Sequence, residues 1–124
     1  MIILESGEDY LESILKLSEE KDAVHAIDVV NDLGLSKPSV SIMLKKLKSN
    51  GYVDIDDNNH LHLTKSGREI AERIYERHRI LTDILIKLGI DPKTAEDDAC
   101  KIEHDLSDKT FDVIKKIYFE NLKK

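Results

Sequence analysis

The chain has 124 residues, 40% of them hydrophobic and 35% charged, with a formal net charge of −6 and a single cysteine, Cys100. This suits one folded domain or two small ones sharing a core, and it excludes a disordered chain and any internal disulfide. No apolar run reaches the roughly 18 residues that span a bilayer, and the N-terminus lacks the basic and apolar regions of a signal peptide, so a reducing cytoplasm with no membrane partner is expected.

In chain order, Ser6 is placed to cap a first helix, with Asp9 three residues on. Tyr10, Ile14 and Leu17 then repeat at i, i+4 and i+7, with Leu11 and Leu15 widening the stripe. A second helix fits Ala26 to Leu33 with Ile27, Val30 and Leu33 inward, and Gly34 breaks it. Ser36 caps a third helix with Pro38 in its first turn and Val40, Met43, Leu44 and Leu47 buried, and Asn50-Gly51 ends it. Alternation of Val53 and Ile55, a polar turn over Asp56-Asp57-Asn58-Asn59, and Leu61 and Leu63 predict a hairpin with one apolar face. Thr64 opens a long helix to about Leu88 with Ile70, Ile74, Leu81, Ile84 or Leu85, and Leu88 inward, and Gly89 stops it. Asp91-Pro92 starts a helix burying Ala95, Ala99, Ile102 and Leu106. Ser107 caps a last one with Phe111, Ile114 and Tyr118 on one side.

Helix, turn, polar-faced helix, hairpin is the order of a winged helix-turn-helix, in which the second helix of the pair lies in the major groove of DNA. That helix needs an apolar inner face and an outer face of small hydrogen-bonding groups and positive charge. Ser36, Lys37, Pro38, Ser39, Ser41, Lys45 and Lys46 supply the outer face. Four lysines and no acid lie between Gly34 and Val53, although the chain as a whole is acidic. In the hairpin, Asp54, Asp56 and Asp57 oppose phosphate, which leaves Asn58, Asn59 and His60 at the tip compatible with contact.

Chemistry concentrates in Cys100-Lys101-Ile102-Glu103-His104. Positions 100, 103 and 104 are i, i+3 and i+4, so a thiol, a carboxylate and an imidazole share one helical face, and all three are ligands for a divalent transition metal. They leave a coordination sphere incomplete. Asp9 and Glu12, i and i+3 on the first helix, and His78 on the long helix are the further candidates.

At this point the chain resembles the diphtheria-toxin-repressor and manganese-transport-regulator family of metal-dependent repressors. The resemblance covers nearly the whole length and rests on Glu8-Asp9-Tyr10-Leu11-Glu12, Ser36-Lys37-Pro38-Ser39-Val40-Ser41, Leu63-Thr64-Lys65-Ser66-Gly67, His78-Arg79 and Ala99-Cys100-Lys101-Ile102-Glu103-His104-Asp105-Leu106-Ser107. It implies a mainly α fold: a winged helix-turn-helix DNA-binding domain over residues 1–72, then a helical dimerisation and metal-binding domain over residues 73–124. The helix of about 64–88 is shared, and no SH3-like third domain is expected in the chain. It implies a homodimer with metal bound between its two parts. Residue by residue, Asp9, Cys100, Glu103 and His104 match the primary site, and His78 and Glu12 match positions that hold a second metal in manganese-responsive members. Iron-responsive members often have methionine where Asp9 stands, and manganese-responsive ones often a carboxylate where Cys100 stands. The ancillary site of iron-type members expects an acid at Thr82 and a histidine at Glu96.

The function expected is that of a metal-dependent (Mn2+ or Fe2+) transcriptional repressor of metal-uptake genes, binding a double-stranded operator with inverted-repeat half-sites and not acting as an enzyme; Co2+, Ni2+ or Zn2+ are expected to substitute in vitro. Two rivals are a winged-helix regulator that senses an organic ligand and a small metalloenzyme. Aromatic residues are only 5% of the chain and tryptophan is absent, which disfavours an aromatic-lined pocket. Nothing beyond the ligands suggests a substrate site.

Overall fold

A computed structural model describes residues 5–122. The order is α1 (Glu5–Glu20), α2 (Ala26–Leu33), α3 (Lys37–Ser49), β1 (Val53–Ile55), β2 (Leu61–Leu63), α4 (Lys65–Lys87), α5 (Pro92–Ile102) and α6 (Asp108–Ile117), closed by a π-helical turn over Tyr118–Leu122. The fold is mainly α. The chain forms two units, the first ending at Glu72 and the second starting at Arg73, and α4 contributes to both.

In the first unit α1 buries Tyr10, Leu11, Ile14, Leu15 and Leu17. The Ser13 hydroxyl on the same helix donates to Asp32 of α2 at 2.7 Å. Ser6 lies inside α1 instead of capping it. The buried residue of α2 is Val29, whereas Ile27 is 44% exposed, a correction to the expected inward face. Apolar residues at 27, 29 and 30 leave the phase of so short a helix open, and packing decides it. Gly34 then takes φ 67°, a left-handed cap that a Cβ disfavours, and its N–H reaches the Val30 carbonyl at 2.9 Å. Ser36 caps α3 by accepting from the Ser39 amide at 3.2 Å, and Val40, Leu44 and Leu47 are buried beneath.

β1 and β2 pair antiparallel with Val53 opposite Leu63, Asp54 opposite His62 and Ile55 opposite Leu61. The turn between them is knotted by Asp56, whose Oδ1 accepts from the Asn58 and His60 amides at 2.8 and 3.0 Å. The hairpin hands over to α4 at a tight joint. Thr64 Oγ1 donates to the Gly51 carbonyl at 2.6 Å and accepts from the Gly67 amide at 3.1 Å. A Cβ on Gly67 would stand 2.0 Å from the Tyr52 carbonyl oxygen, so only glycine fits.

The second unit gathers Ile80, Phe111 and Tyr118, with Ile84, Leu106 and Leu122 packed against them. Tyr118 donates to Asp83 at 2.6 Å, which raises the phenol's pKa and lowers the carboxyl's. Asp91 caps α5 with Pro92 behind it, and Ser107 caps α6. Ala95 and Ala99 are fully buried. Two expected core positions face water: Leu88, past the end of α4, is 70% exposed and Ile102 is 37% exposed. Ile80 is buried on α4 instead.

Candidate metal centre and DNA-reading helix

α5 ends at Ile102, so Glu103 and His104 lie just beyond it and not on a continuous helix. The spacing argument survives because Glu103 keeps right-handed helical angles (φ −58°, ψ −29°) and its amide still reaches the Ala99 carbonyl at 2.9 Å. The donor atoms of Cys100, Glu103 and His104 consequently lie within 4.8 Å of one another. His78 comes to the same carboxylate from α4, its Nδ1 2.8 Å from Glu103 Oε2. Cys100 is exposed, whereas Glu103 has no exposure at all.

The turn that carries Glu103 and His104 is held by Arg77. Its Nη1 donates to the carbonyls of Glu103 at 3.0 Å and Leu106 at 2.6 Å, and its Nη2 pairs with Asp108 at the start of α6. The guanidinium carbon stands 5.2 Å from the centre of the Phe111 ring. Sequence reasoning missed this residue. The signal was there: Arg77 falls in the rhythm of Ile70, Ile74 and Leu81, and a base on an apolar stripe must be matched by acceptors.

A buried carboxylate is costly unless its charge is compensated. Glu103 Oε2 has His78, but Oε1 has no hydrogen-bond donor among the described residues, and His104 Nε2 stands 3.4 Å from it. Sulfur, carboxylate oxygen and imidazole nitrogen together form a donor set for a divalent transition metal, and the orphaned Oε1 is the lone pair such an ion would take. The residues present fit the ion. Asp9 and Glu12 sit one turn apart on α1 of the first unit, Asp9 half-buried and Glu12 buried. At the positions where an ancillary site would differ, Thr82 Oγ1 is buried without a hydrogen-bond partner among the described residues, and Glu96 Oε1 is 3.8 Å from His78 Nε2.

α3 divides cleanly. Ser36, Lys37, Pro38, Ser39, Ser41, Lys45 and Lys46 are all exposed, opposite Val40, Leu44 and Leu47. Ser36 and Ser39 hydroxyls bond each other at 2.8 Å, so both oxygens are fixed in direction. On the hairpin, Asp56 is held at a pKa of about 2, chiefly by His62, whose Nε2 is 2.9 Å from Oδ2, and by the His60 amide.

A winged helix-turn-helix unit followed by a helical unit bearing a thiol, a buried carboxylate and imidazoles is the build of a metal-dependent DNA-binding regulator. Residues 3–61 match the iron-dependent repressor N-terminal DNA-binding domain, and residues 64–120 match the iron-dependent repressor metal-binding and dimerisation domain. The transcriptional regulator MntR of Escherichia coli is 34% identical over 108 residues, covering 87% of this chain and 70% of that protein. An uncharacterised HTH-type transcriptional regulator of Methanocaldococcus jannaschii is 36% identical over 121 residues, covering 96% of each. A manganese-dependent transcriptional repressor solved in complex with manganese superposes with a TM-score of 0.81 at 31% identity, covering 89% of this chain and 51% of that one. The chain thus spans about half the length of that solved regulator. It belongs to the iron-dependent repressor family, that of the diphtheria-toxin and manganese-transport repressors. No described helix is long and apolar enough to cross a membrane.

Proposed function

We propose that this chain is a metal-dependent transcriptional repressor in which residues 1–72 read duplex DNA and residues 73–124 dimerise and bind metal. Asp9, Cys100, Glu103 and His104 are assigned to the primary site, and Glu12 and His78 to a second position. The observation that carries this reading is the fully buried Glu103 carboxylate, with Oε1 undonated and His104 beside it, in a chain whose N-terminal half matches a DNA-binding domain. The relatives point to Mn2+ as the activating ion, with Fe2+ the alternative. The hard carboxylate of Asp9 favours manganese, and the soft thiol of Cys100 favours later ions such as Co2+, Ni2+ or Zn2+. Nothing in this reading asks for catalysis.

A bound divalent cation supplies the positive charge that the carboxylates lack. Without it, Asp9, Glu12 and Glu103 repel one another, and the pair of reading helices in a homodimer samples many separations. The ligand set draws on both halves of the sequence, so loading couples α1 to the dimerising half. The two copies of α3 then populate the separation of about 34–36 Å that successive major grooves of an inverted-repeat operator require. Apparent DNA affinity rises with the populated fraction of that state, and operator DNA tightens metal binding by the same factor.

The test is fluorescence anisotropy of a labelled duplex titrated with the protein, under anaerobic conditions, across a panel of divalent ions. Asp9→Ala and His104→Ala are expected to stay folded dimers and to lose the metal-stimulated increase. Variants that kept a metal-dependent increase would refute the ligand assignment.

A further inference from the structure

α3 carries one large apolar side chain on its outer face. Ile42 is 58% exposed, although the apolar face of the same helix is already formed by Val40, Leu44 and Leu47. By helical spacing its neighbours are Pro38 and Ser39 one turn before and Lys45 and Lys46 one turn after, all exposed. The result is an aliphatic centre ringed by a hydroxyl and two ammonium groups on a helix with four lysines and no acid. Four lysines with no acid on the helix suit this face to a polyanion. The aliphatic centre suits the floor of the major groove. There the thymine 5-methyl is the one apolar group among the base edges, and phosphates run along both rims.

We propose that Ile42 is a specificity-determining residue: its side chain packs on a thymine 5-methyl group and selects a thymine at one position of each half-site. This rests on the reading of α3 as the DNA-reading helix and adds to it the base that one residue selects. Ser39, Lys45 and Lys46 then hold the helix in register through sugar and phosphate, with Ile42 supplying discrimination without any hydrogen bond. The long, β-branched side chain has few rotamers in a helix, so little freedom is lost when it is seated.

The full chain, loaded with Mn2+, is first used to select sites from a randomised duplex library. Each thymine of the recovered half-site is then replaced in turn by uracil, which removes the methyl and leaves base pairing intact. At one position per half-site, uracil is expected to weaken wild-type binding about fourfold, the worth of one buried methyl-sized group. Ile42→Ala is expected to bind the thymine duplex more weakly by a similar factor and to lose the thymine–uracil difference at that position alone. Because the side chain is exposed, the variant should keep the wild-type circular dichroism and metal-induced thermal shift. Retention of every thymine–uracil difference by Ile42→Ala, or no such difference in the wild type, overturns the proposal while leaving α3 as the reading helix. A changed oligomeric state of Ile42→Ala without DNA would assign the residue to a protein contact and also overturn it. Failure of the wild type to enrich any sequence with Mn2+ would instead refute the function on which it rests.

Discussion

His78 Nδ1 stands 2.8 Å from Glu103 Oε2, two residues separated by 25 positions in sequence. The imidazole side chain is 16% exposed and the carboxylate not at all. The pairing orients the carboxylate by one of its oxygens and leaves the other aimed beside His104, 3.4 Å away. A carboxylate so fixed is prearranged for an ion and strained by its own charge without one.

Glu103→Gln keeps the shape and removes the charge. The metal-free variant is expected to melt no lower than the wild type, since a buried carboxylate with one oxygen undonated has gone. In the wild type, Mn2+ at about 100 times its dissociation constant should add about 2.7 kcal/mol of stability, a rise in Tm on the order of 10 °C. Differential scanning fluorimetry with and without Mn2+ should show that rise in the wild type and none in the variant. A full rise in the variant would remove Glu103 from the coordination sphere.

Arg77→Met keeps much of the aliphatic stem and deletes the guanidinium. Two charge-assisted bonds to the Glu103 and Leu106 carbonyls are lost, and both acceptors are left without that donor. The pair with Asp108 adds little, because that carboxylate is 70% exposed. Urea unfolding should show a loss of about 3 kcal/mol. The turn bearing Glu103 and His104 loosens too, so metal affinity should fall although no ligand has changed. Unaltered affinity with reduced stability would confine Arg77 to a structural role.

The elements legible in the sequence were those punctuated by strong local signals. Ser36, Asp91 and Ser107 cap their helices as their residue types require, and the two-residue period of Val53 and Ile55 and of Leu61 and Leu63 gives the hairpin. Packing decided what those signals leave open. The eight residues of α2 turn Val29 inward and Ile27 out, and Leu88 emerges into water just past α4. In the second unit, the clustering of Cys100, Glu103 and His104 could be read from spacing, and His78 was legible as a candidate. Its meeting with Glu103, 25 positions away in sequence, is a tertiary contact that no local pattern encodes. Arg77 was hidden because its acceptors are backbone carbonyls, which carry no residue identity.

Asp56 sets an acid limit on the hairpin. Its pKa is about 2, below the ordinary 3.8, held down first by the His62 side chain and then by the His60 amide. A group depressed in the folded state contributes stability that is fully present above its unfolded pKa and is lost as pH falls through the folded value. The hairpin turn should therefore be intact at pH 4 and above and loosen between about pH 4 and pH 2. Asp56 is partly exposed and His62 more so, so added salt should narrow the window. Two-dimensional NMR of the Asn58 and His60 amides should show this transition, and Asp56→Asn should show it at no pH. An Asp56 carboxyl titrating at its ordinary value would refute the clamp.

Lys45 and Lys46 test α3 by a signature that does not depend on the operator's sequence. Each lysine that neutralises a phosphate releases condensed counterions, so the logarithm of the binding constant falls with the logarithm of salt concentration by about 0.9 per contact. Lys45→Ala and Lys46→Ala should each flatten that slope by about 0.9 and weaken specific and non-specific duplexes by the same factor. Ile42→Ala, uncharged before and after, should leave the slope alone. Both lysines are exposed and on the face opposite Val40, Leu44 and Leu47, so neither variant should disturb the fold. Anisotropy titrations with Mn2+ between about 50 and 200 mM salt separate the cases: a slope unchanged in both lysine variants would take this face of α3 out of the interface.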